Sequence, residues 1–286
     1  MEPTDMQIGF VGAGNMAEAL MGAVINTGVC RPGQIMASDI SEERLLHLQD
    51  RYGITTTKNN GDVFNTSDLV VLAVKPQQME GVLESLASSG FYPGAGRRIV
   101  VSIAAGYLLE RMEAHLYAPL DISAQGRMPL VRVMPNTPAL VGQGMAGIAL
   151  NRNATSEDTD KVRSILEATG QVRVVPEELM DAVTAVSGSG PAYVFYLAQA
   201  MEQGGTAVGL PPEDARALVL QTLRGAVALL EETGESPEEL RRKVTSPGGT
   251  TEAALKRMDK GGVLDSVVEG IRAAAMRSFE LSGKTG

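Results

Sequence analysis

The chain has 286 residues, of which 44% are hydrophobic, and it carries a formal net charge of −9. This hydrophobic fraction supplies a large folded core and excludes an intrinsically disordered chain. The acidic balance, which no long basic stretch offsets, argues against nucleic acid and against an anionic membrane surface as partners.

The residue types that report cellular location favour the cytoplasm. Cys30 is the one cysteine, so no intrachain disulfide forms, as is usual in a reducing compartment. Residues 1–5 are acidic and lack the hydrophobic core of a secretion signal. The longest apolar stretch, residues 99–109, is too short to span a bilayer. The two histidines, His47 and His115, have no Cys, His or Asp at ligand spacing, which argues against a metal site and a His-based triad.

A glycine motif lies near the start of the chain. Residues 8–11 are apolar and predict a short buried strand, and Gly12, Gly14 and Ala17 follow it as G-x-G-x-x-A. In this dinucleotide-binding fingerprint the first glycine permits a tight turn and the second lets a pyrophosphate approach the backbone. A one-faced helix is predicted to follow as far as Thr27, and its free N–H groups would hold phosphates. The alternative is an ordinary glycine turn in an α/β domain.

The second predicted strand, residues 34–39, ends in an acidic residue. Asp39 lies about 20 residues past the glycines, where a carboxylate accepts hydrogen bonds from ribose hydroxyls and favours NAD. Ser38 is instead suited to bond the 2′-phosphate of NADP, and Arg44 follows one turn into the next helix. The alternative role for Asp39 or Ser41 is to cap that helix. The choice between NAD and NADP therefore stays open.

Further strands alternate with helices as far as Pro176. Apolar runs predict strands at residues 67–74, 98–104, 130–134, 145–150 and 171–175, and Ser156 is predicted to cap a helix that runs to about residue 169. Lys75 and Gln77 are expected to border the cofactor, while the small residues 104–106 suit either approach to the nicotinamide ribose or plain packing. Residues 135–138 (Pro-Asn-Thr-Pro) predict a stiff loop that holds an amide in place.

From residue 177 onward no strand is evident. Helices are predicted at residues 178–205, 212–233, 237–245, 250–260 and 264–282. The composition therefore divides the chain into an α/β dinucleotide-binding domain, residues 1–176, and an all-helical domain, residues 177–286. Apolar residues surround much of the helix at 212–233, and burial in a dimer explains this better than a surface position does.

Two stretches of the helical part break local rules. Residues 187–193 (Ser-Gly-Ser-Gly-Pro-Ala-Tyr) place two glycines and a proline inside a helical pattern, which indicates either a functional site or a break between two helices with Pro191 in the first turn of the second. Residues 245–252 precede another helix, with Thr250 or Thr251 as its N-cap. The Gly-Gly-Thr backbone there predicts a nest for a small carboxylate, or else only a capped loop.

The chain resembles pyrroline-5-carboxylate reductase, the last enzyme of proline biosynthesis, over nearly its whole length. The motifs that carry the resemblance are residues 11–16, 73–77, 101–106, 134–138, 187–193 and 246–251. The resemblance implies a Rossmann-like N-terminal domain and an all-helical C-terminal dimerisation domain. It also implies a homodimer, with further assembly into a decamer of five dimers, and hydride transfer from NADPH or NADH to the imine of 1-pyrroline-5-carboxylate.

The resemblance also implies site residues. Cofactor contacts fall on Gly12, Ala13, Gly14, Asn15, Met16, Ala17, Ser38, Asn60, Ala73, Val74, Lys75, Pro76, Ile103, Ala104 and Ala105, and the spacing argument given above adds Asp39. Substrate contacts fall on Glu177, Ser246, Gly248, Gly249, Thr250 and Thr251. A protonated imine is already electrophilic, so catalysis needs mainly positioning, and Thr251 is the candidate to hydrogen-bond the imine nitrogen.

Two other functions compete with this one. A 3-hydroxy-acid dehydrogenase also joins a Rossmann domain to helices, but it needs a catalytic lysine in the first long helix of its second domain. Residues 181–205 contain no lysine, which argues against that class. A non-catalytic NADP-binding protein is the alternative from a different class, and coenzyme oxidation in the presence of the imine discriminates it.

Overall fold

The computed structural model describes residues 5–88 and 96–283. Its centre is an eight-stranded sheet in the order β3-β2-β1-β4-β5-β6-β7-β8. The strands are β1 (Ile8–Val11), β2 (Ile35–Ser38), β3 (Thr55–Thr57), β4 (Leu69–Leu72), β5 (Ile99–Ser102), β6 (Leu130–Met134), β7 (Gly144–Leu150) and β8 (Gly170–Val174). The fold is therefore the Rossmann-like α/β class that the sequence predicts.

The α-helices lie between the strands and then follow them. They are α1 (Asn15–Asn26), α2 (Glu42–Tyr52), α3 (Asn60–Thr66), α4 (Pro76–Ser88), α5 (Leu109–Leu116), α6 (Ile122–Gly126), α7 (Ser156–Glu167), α8 (Met180–Val183), α9 (Gly190–Ala207), α10 (Pro212–Thr233), α11 (Pro237–Lys243), α12 (Thr250–Lys260) and α13 (Val263–Leu281). In the part of the chain that the structure describes, no strand follows β8, as predicted. No helix of the described residues is long and apolar enough to cross a membrane.

Strand direction distinguishes the last two strands of the sheet from the first six. Strands β1 to β6 are parallel, whereas β7 runs antiparallel to β6 and β8 parallel to β7. The link from β6 to β7 holds only a short 3₁₀ turn, Thr137–Val141, and such a link reverses the chain without the long crossover that a parallel pair requires. Apolar side chains cover both faces of the sheet in two separate clusters, which explains the continuous apolar runs of its central strands.

Three local predictions are corrected by the structure. Thr155, not Ser156, is the N-cap of α7, because its hydroxyl accepts the Asp158 N–H in a capping box. The helix predicted over 178–205 is divided into α8, a π-helical turn at Thr184–Gly188, and α9 with Pro191 in its first turn. The N-cap of α12 is Gly249 and not either threonine.

The described residues form two compact units. The first holds the chain up to Gly188 and the segment from Ala274 onward, and the second is Ser189–Ala273. The final part of α13 belongs to the first unit, where the Ser278 hydroxyl donates to Asp181 Oδ1 at 2.7 Å. The domain boundary after residue 176 stays a prediction.

Candidate active site

The two glycines of the fingerprint meet different surroundings. Gly12 has φ +92, and a Cβ atom there would lie 2.9 Å from the backbone carbon and oxygen of Ala73, so glycine is required for the turn itself. A Cβ atom on Gly14 would meet no atom of the described structure within 4 Å. Packing therefore does not require a glycine at this second position, and the open space in front of it fits the close approach of a pyrophosphate. The first N–H groups of α1, at Asn15 and Met16, have no carbonyl within the helix to bind.

The ends of the central strands bring the predicted cofactor residues to one edge of the sheet. Val11 pairs with Leu72, and Leu72 pairs with Ser102, so the segments that follow β1, β4 and β5 emerge side by side. Ala73 N donates to Val11 O at 2.8 Å and Ile103 N to Leu72 O at 3.1 Å. The predicted contacts gathered along this edge are Gly12, Ala13, Ala73, Val74, Ile103, Ala104 and Ala105, with Lys75 and Pro76 exposed at the start of α4.

The end of β2 is fastened to the glycine loop by Asp39 and Arg44. Asp39 Oδ2 accepts the Ala13 N–H at 2.8 Å, and Asp39 Oδ1 accepts the Ser41 N–H at 2.9 Å. Arg44 Nε donates to Ala13 O at 2.6 Å, and its guanidinium forms an ion pair with Glu18. Ala13, the central residue of the G-x-G turn, is therefore held through both its N–H and its C=O, which belong to the two peptide units on either side of it. Ser41 caps α2, which confirms one of the two caps that the sequence offered.

The Glu18 carboxylate accepts several hydrogen bonds beside this loop. Its carboxylate accepts hydrogen bonds from Arg51 Nη1 and from the Tyr52 hydroxyl at 3.2 Å each, and it lies 3.3 Å from His47 Nε2. Burial opposes ionisation, but the hydrogen bonds of Arg44 and His47 and the charge of Arg44 outweigh it, so the pKa of Glu18 lies below its ordinary value. Glu18 therefore stays charged at neutral pH.

Ser38 and Asn60 lie together, but they differ in access to solvent. The Ser38 side chain is fully buried, and its hydroxyl donates to Asn60 Oδ1 at 2.8 Å. Asn60 begins α3 and is partly exposed. The predicted contact of Ser38 with a cofactor stays a prediction, while the geometry shows Ser38 orienting the Asn60 amide.

The stiff loop after β6 holds its amide as predicted. Asn136 Oδ1 accepts the Met145 N–H at 2.9 Å, and Asn136 Nδ2 donates to Ser187 O at 3.2 Å. Gly188 lies beside the same strand end, and a Cβ atom there would come within 2.4 Å of Met134 Cε. Because this atom is the tip of a flexible side chain and the next neighbours lie at 3.7 Å, a small shift of Met134 would accommodate a side chain at position 188.

A buried arginine lies beside Glu177, an arrangement that is not among the features predicted from the sequence. Arg132 of β6 is only 2% exposed, and its guanidinium lies 3.4 Å from Glu177 Oε1 and 3.9 Å from Asp181 Oδ1. Glu177 Oε1 also accepts the N–H of Leu109, the first residue of α5, at 2.7 Å. The predicted contact of Glu177 with substrate stays a prediction, since this carboxylate is already engaged within the protein. One signal was available, namely a charged residue inside the apolar run Leu-Val-Arg-Val-Met.

The predicted carboxylate nest lies at the start of α12 in the second unit. Gly248 has φ +71, its N–H is bound by Glu252 Oε2 at 2.9 Å, and the Gly249 N–H donates to Ser246 O at 3.0 Å. Within the described part of the chain, the N–H groups of Thr250, Thr251 and Glu252 have no acceptor. These three donors and the helix dipole form the anion-binding part of the loop.

Comparison with known proteins identifies the family. A family model described as pyrroline-5-carboxylate reductase dimerisation matches residues 177–281, and one described as NADP oxidoreductase, coenzyme F420-dependent, matches residues 7–106. The pyrroline-5-carboxylate reductase of Synechocystis sp. is 41% identical over 98% of this chain and 99% of that protein. The enzyme of that name from Pseudomonas aeruginosa is 41% identical over 98% of each chain.

Solved structures support the same family assignment. A pyrroline-5-carboxylate reductase from Coxiella burnetii superposes with a TM-score of 0.87 at 34% identity, covering 99% of this chain and 100% of that one. The pyrroline carboxylate reductase of Plasmodium falciparum, crystallised with NADP bound, has a TM-score of 0.83 at 27% identity, with coverage of 98% and 99%. Identity above 30% over nearly the full length of the curated relatives settles the assignment: the chain belongs to the pyrroline-5-carboxylate reductase family.

Proposed function

We propose that this chain reduces 1-pyrroline-5-carboxylate to L-proline with NADPH or NADH. The observation that carries the proposal is the presence, in a member of this family, of an open dinucleotide cradle at Gly14 and a set of free amide donors at Thr250 and Thr251. The first suits a pyrophosphate and the second suits a small carboxylate.

The first unit would hold the coenzyme. The pyrophosphate would bind the first N–H groups of α1 in front of Gly14, and Asp39 and Asn60 would face the adenosine ribose. Small side chains at Ala104 and Ala105 leave room for the nicotinamide ribose beside the end of β5. When bound, the reduced nicotinamide supplies the hydride.

The loop before α12 would hold the substrate. Its carboxylate would accept the free N–H groups of Thr250 and Thr251, while Ser246, Gly248 and Gly249 shape the turn. The half-buried Thr251 hydroxyl would hydrogen-bond the imine nitrogen and then the product amine. Because a protonated imine needs no strong general acid, this positioning accounts for the chemistry without a histidine.

The test is coenzyme oxidation, followed at 340 nm, with 1-pyrroline-5-carboxylate as substrate. We expect oxidation that depends on the imine, with proline as product. Replacing Thr251 with Ala should lower kcat/KM by at least about tenfold, or about 1.4 kcal/mol, whereas Thr251→Ser keeps the hydroxyl and should retain most of the activity. Coenzyme binding without turnover would favour the non-catalytic alternative, and an unchanged kcat/KM for Thr251→Ala would reject the role of its hydroxyl.

The surface of the second unit and the composition support a proposal for the assembly and the location. The chain contains the family's dimerisation region, and large apolar side chains are exposed on α9 and α10. We propose a homodimer that buries them, five of which assemble into a decamer, working in the cytoplasm. The acidic charge and the single cysteine support that location.

A further inference from the structure

We propose that this chain prefers NADH to NADPH, because Asp39 reads the ribose hydroxyls and Glu18 withholds Arg44 from a 2′-phosphate. The inference rests on the proposed binding of a pyridine nucleotide at the glycine loop. It concerns the end of β2, where the adenosine ribose lies in dinucleotide-binding folds of this strand order.

Asp39 is fixed in place with acceptor capacity to spare. Each of its two carboxylate oxygens accepts one backbone N–H, from Ala13 and from Ser41. A carboxylate oxygen has two lone pairs, so each keeps one for a ribose hydroxyl. A 2′-phosphate offers acceptors and negative charge in place of a donor, so this carboxylate would repel it.

The cation nearest to this carboxylate already has a partner. Arg44 Nε is bound to Ala13 O, and its guanidinium pairs with Glu18, whose side chain is only 16% exposed. Because Glu18 stays ionised, its negative charge holds the Arg44 guanidinium away from the ribose end of the site. To bind a 2′-phosphate, Arg44 would have to leave Glu18 or be shared with it.

The other cations beside this site are also engaged. Lys58 is paired with Glu42 at 2.7 Å, and Arg51 binds the same Glu18 carboxylate as Arg44, so Glu18 offsets one of these two guanidinium charges. The cavity beside Arg44 is also lined by Ser41, Glu43 and His47, so it adds a carboxylate together with the imidazole. Ser38 is fully buried against Asn60 and offers no exposed hydroxyl. Around the end of β2, the carboxylates of Glu18, Asp39 and Glu43 therefore outnumber the guanidinium groups of Arg44 and Arg51, so the local charge is negative.

The test is calorimetric titration of the full-length protein, free of coenzyme, with NADH and with NADPH. We expect NADH to bind at least about tenfold more tightly, which corresponds to about 1.4 kcal/mol. Glu18→Gln frees Arg44 to bind a 2′-phosphate. This variant should bind NADPH more tightly, so its Kd for NADPH should move closer to its Kd for NADH. Asp39→Asn removes the charge but keeps one acceptor oxygen, and it should also shift the ratio toward NADPH.

Glu157→Gln is the matched control, since Glu157 is an exposed partner of Lys161 on α7, and it should leave the ratio unchanged. Equal or tighter binding of NADPH by the unaltered protein would overturn the proposal, as would Glu18→Gln and Asp39→Asn variants that fold but keep the original ratio. The coenzyme-binding result can be interpreted independently of the result of the reductase assay. If the expected ratio is found but neither coenzyme is oxidised with the imine, the proposed function fails while this inference stands.

Discussion

Gly12 and Gly14 belong to one motif, but glycine is required at the two positions for different reasons. Gly12 is required by the protein itself, because its positive φ and the nearby Ala73 backbone exclude a side chain. Gly14 has φ −68 at the N-cap of α1, a conformation open to any residue, and it faces empty space. The constraint on Gly14 is therefore one that a ligand would impose.

Replacing Gly14 with Ala should separate binding from stability. The free energy of unfolding should fall by no more than about 1 kcal/mol, since alanine is only a poorer N-cap. The Kd for NADH should rise at least about tenfold, because the methyl group occupies the space of the pyrophosphate. Calorimetric titration and urea denaturation measure the two quantities.

The control for Gly14 is Gly81→Ala, in the interior of α4. Among the described residues, no atom outside the neighbouring backbone of α4 lies within 4 Å of a Cβ at Gly81 either, so this change should stabilise the protein by about 1 kcal/mol and leave coenzyme binding as it was. Normal coenzyme affinity in Gly14→Ala would contradict the placement of the pyrophosphate.

At the scale of elements, the start of α7 has two neighbouring hydroxyl groups, on Thr155 and Ser156, and only one of them caps the helix. Thr155 accepts the Asp158 N–H at 3.3 Å and donates to Asp158 Oδ2 at 2.7 Å, and Asp158 in turn binds Arg97. Replacing Thr155 with Ala should therefore cost about 1–2 kcal/mol of stability, whereas Ser156→Ala should cost less than about 0.5 kcal/mol. Urea denaturation of both variants measures the difference, and equal losses would place the cap elsewhere.

The sequence predicts strands well where a strand is buried on both faces. The run that contains β4 is apolar throughout and is bounded by Pro76, which left little choice of element. The strand β3 (Thr55–Thr57) is a partly exposed edge of three threonines, and it offers neither an apolar run nor alternation to detect. The antiparallel direction of β7 could not be predicted from the sequence either, because hydrophobic periodicity carries no information on strand direction.

The candidate site divides in the same way. The spacing from the glycines predicts a carboxylate at Asp39, but its bond to Ala13 and the pairing of Arg44 with Glu18 join separate elements of the fold. The pairing of Arg132 with Glu177 likewise joins residues 45 apart in sequence. Contacts of this kind depend on the packed fold and not on local pattern.

At the scale of the whole molecule, α9 exposes large apolar side chains in the single chain. None of its residues is buried in the single chain, and Phe195 and Tyr196 are 66% and 76% exposed. Helices that are apolar on several faces are stable in water only when another surface covers them. The family's dimerisation region includes this helix.

Replacing Phe195 with Glu should therefore produce a smaller assembly, since it places a charge in the proposed dimer contact. Light scattering coupled to gel filtration measures the mass. Leu46→Glu, at a residue 53% exposed on α2 of the first unit, introduces the same charge and should leave the mass unchanged. A Phe195→Glu protein of unaltered mass would exclude α9 from the contact.

The final turns of α13 have a consequence for how the protein is made. The first unit needs the segment from Ala274 onward, including the bond from Ser278 to Asp181, yet a ribosome synthesises that segment only after the whole second unit. The first unit of a nascent chain therefore cannot complete its fold until the final part of α13 has been synthesised. A gene fragment that stops after residue 188 would encode an incomplete version of that half.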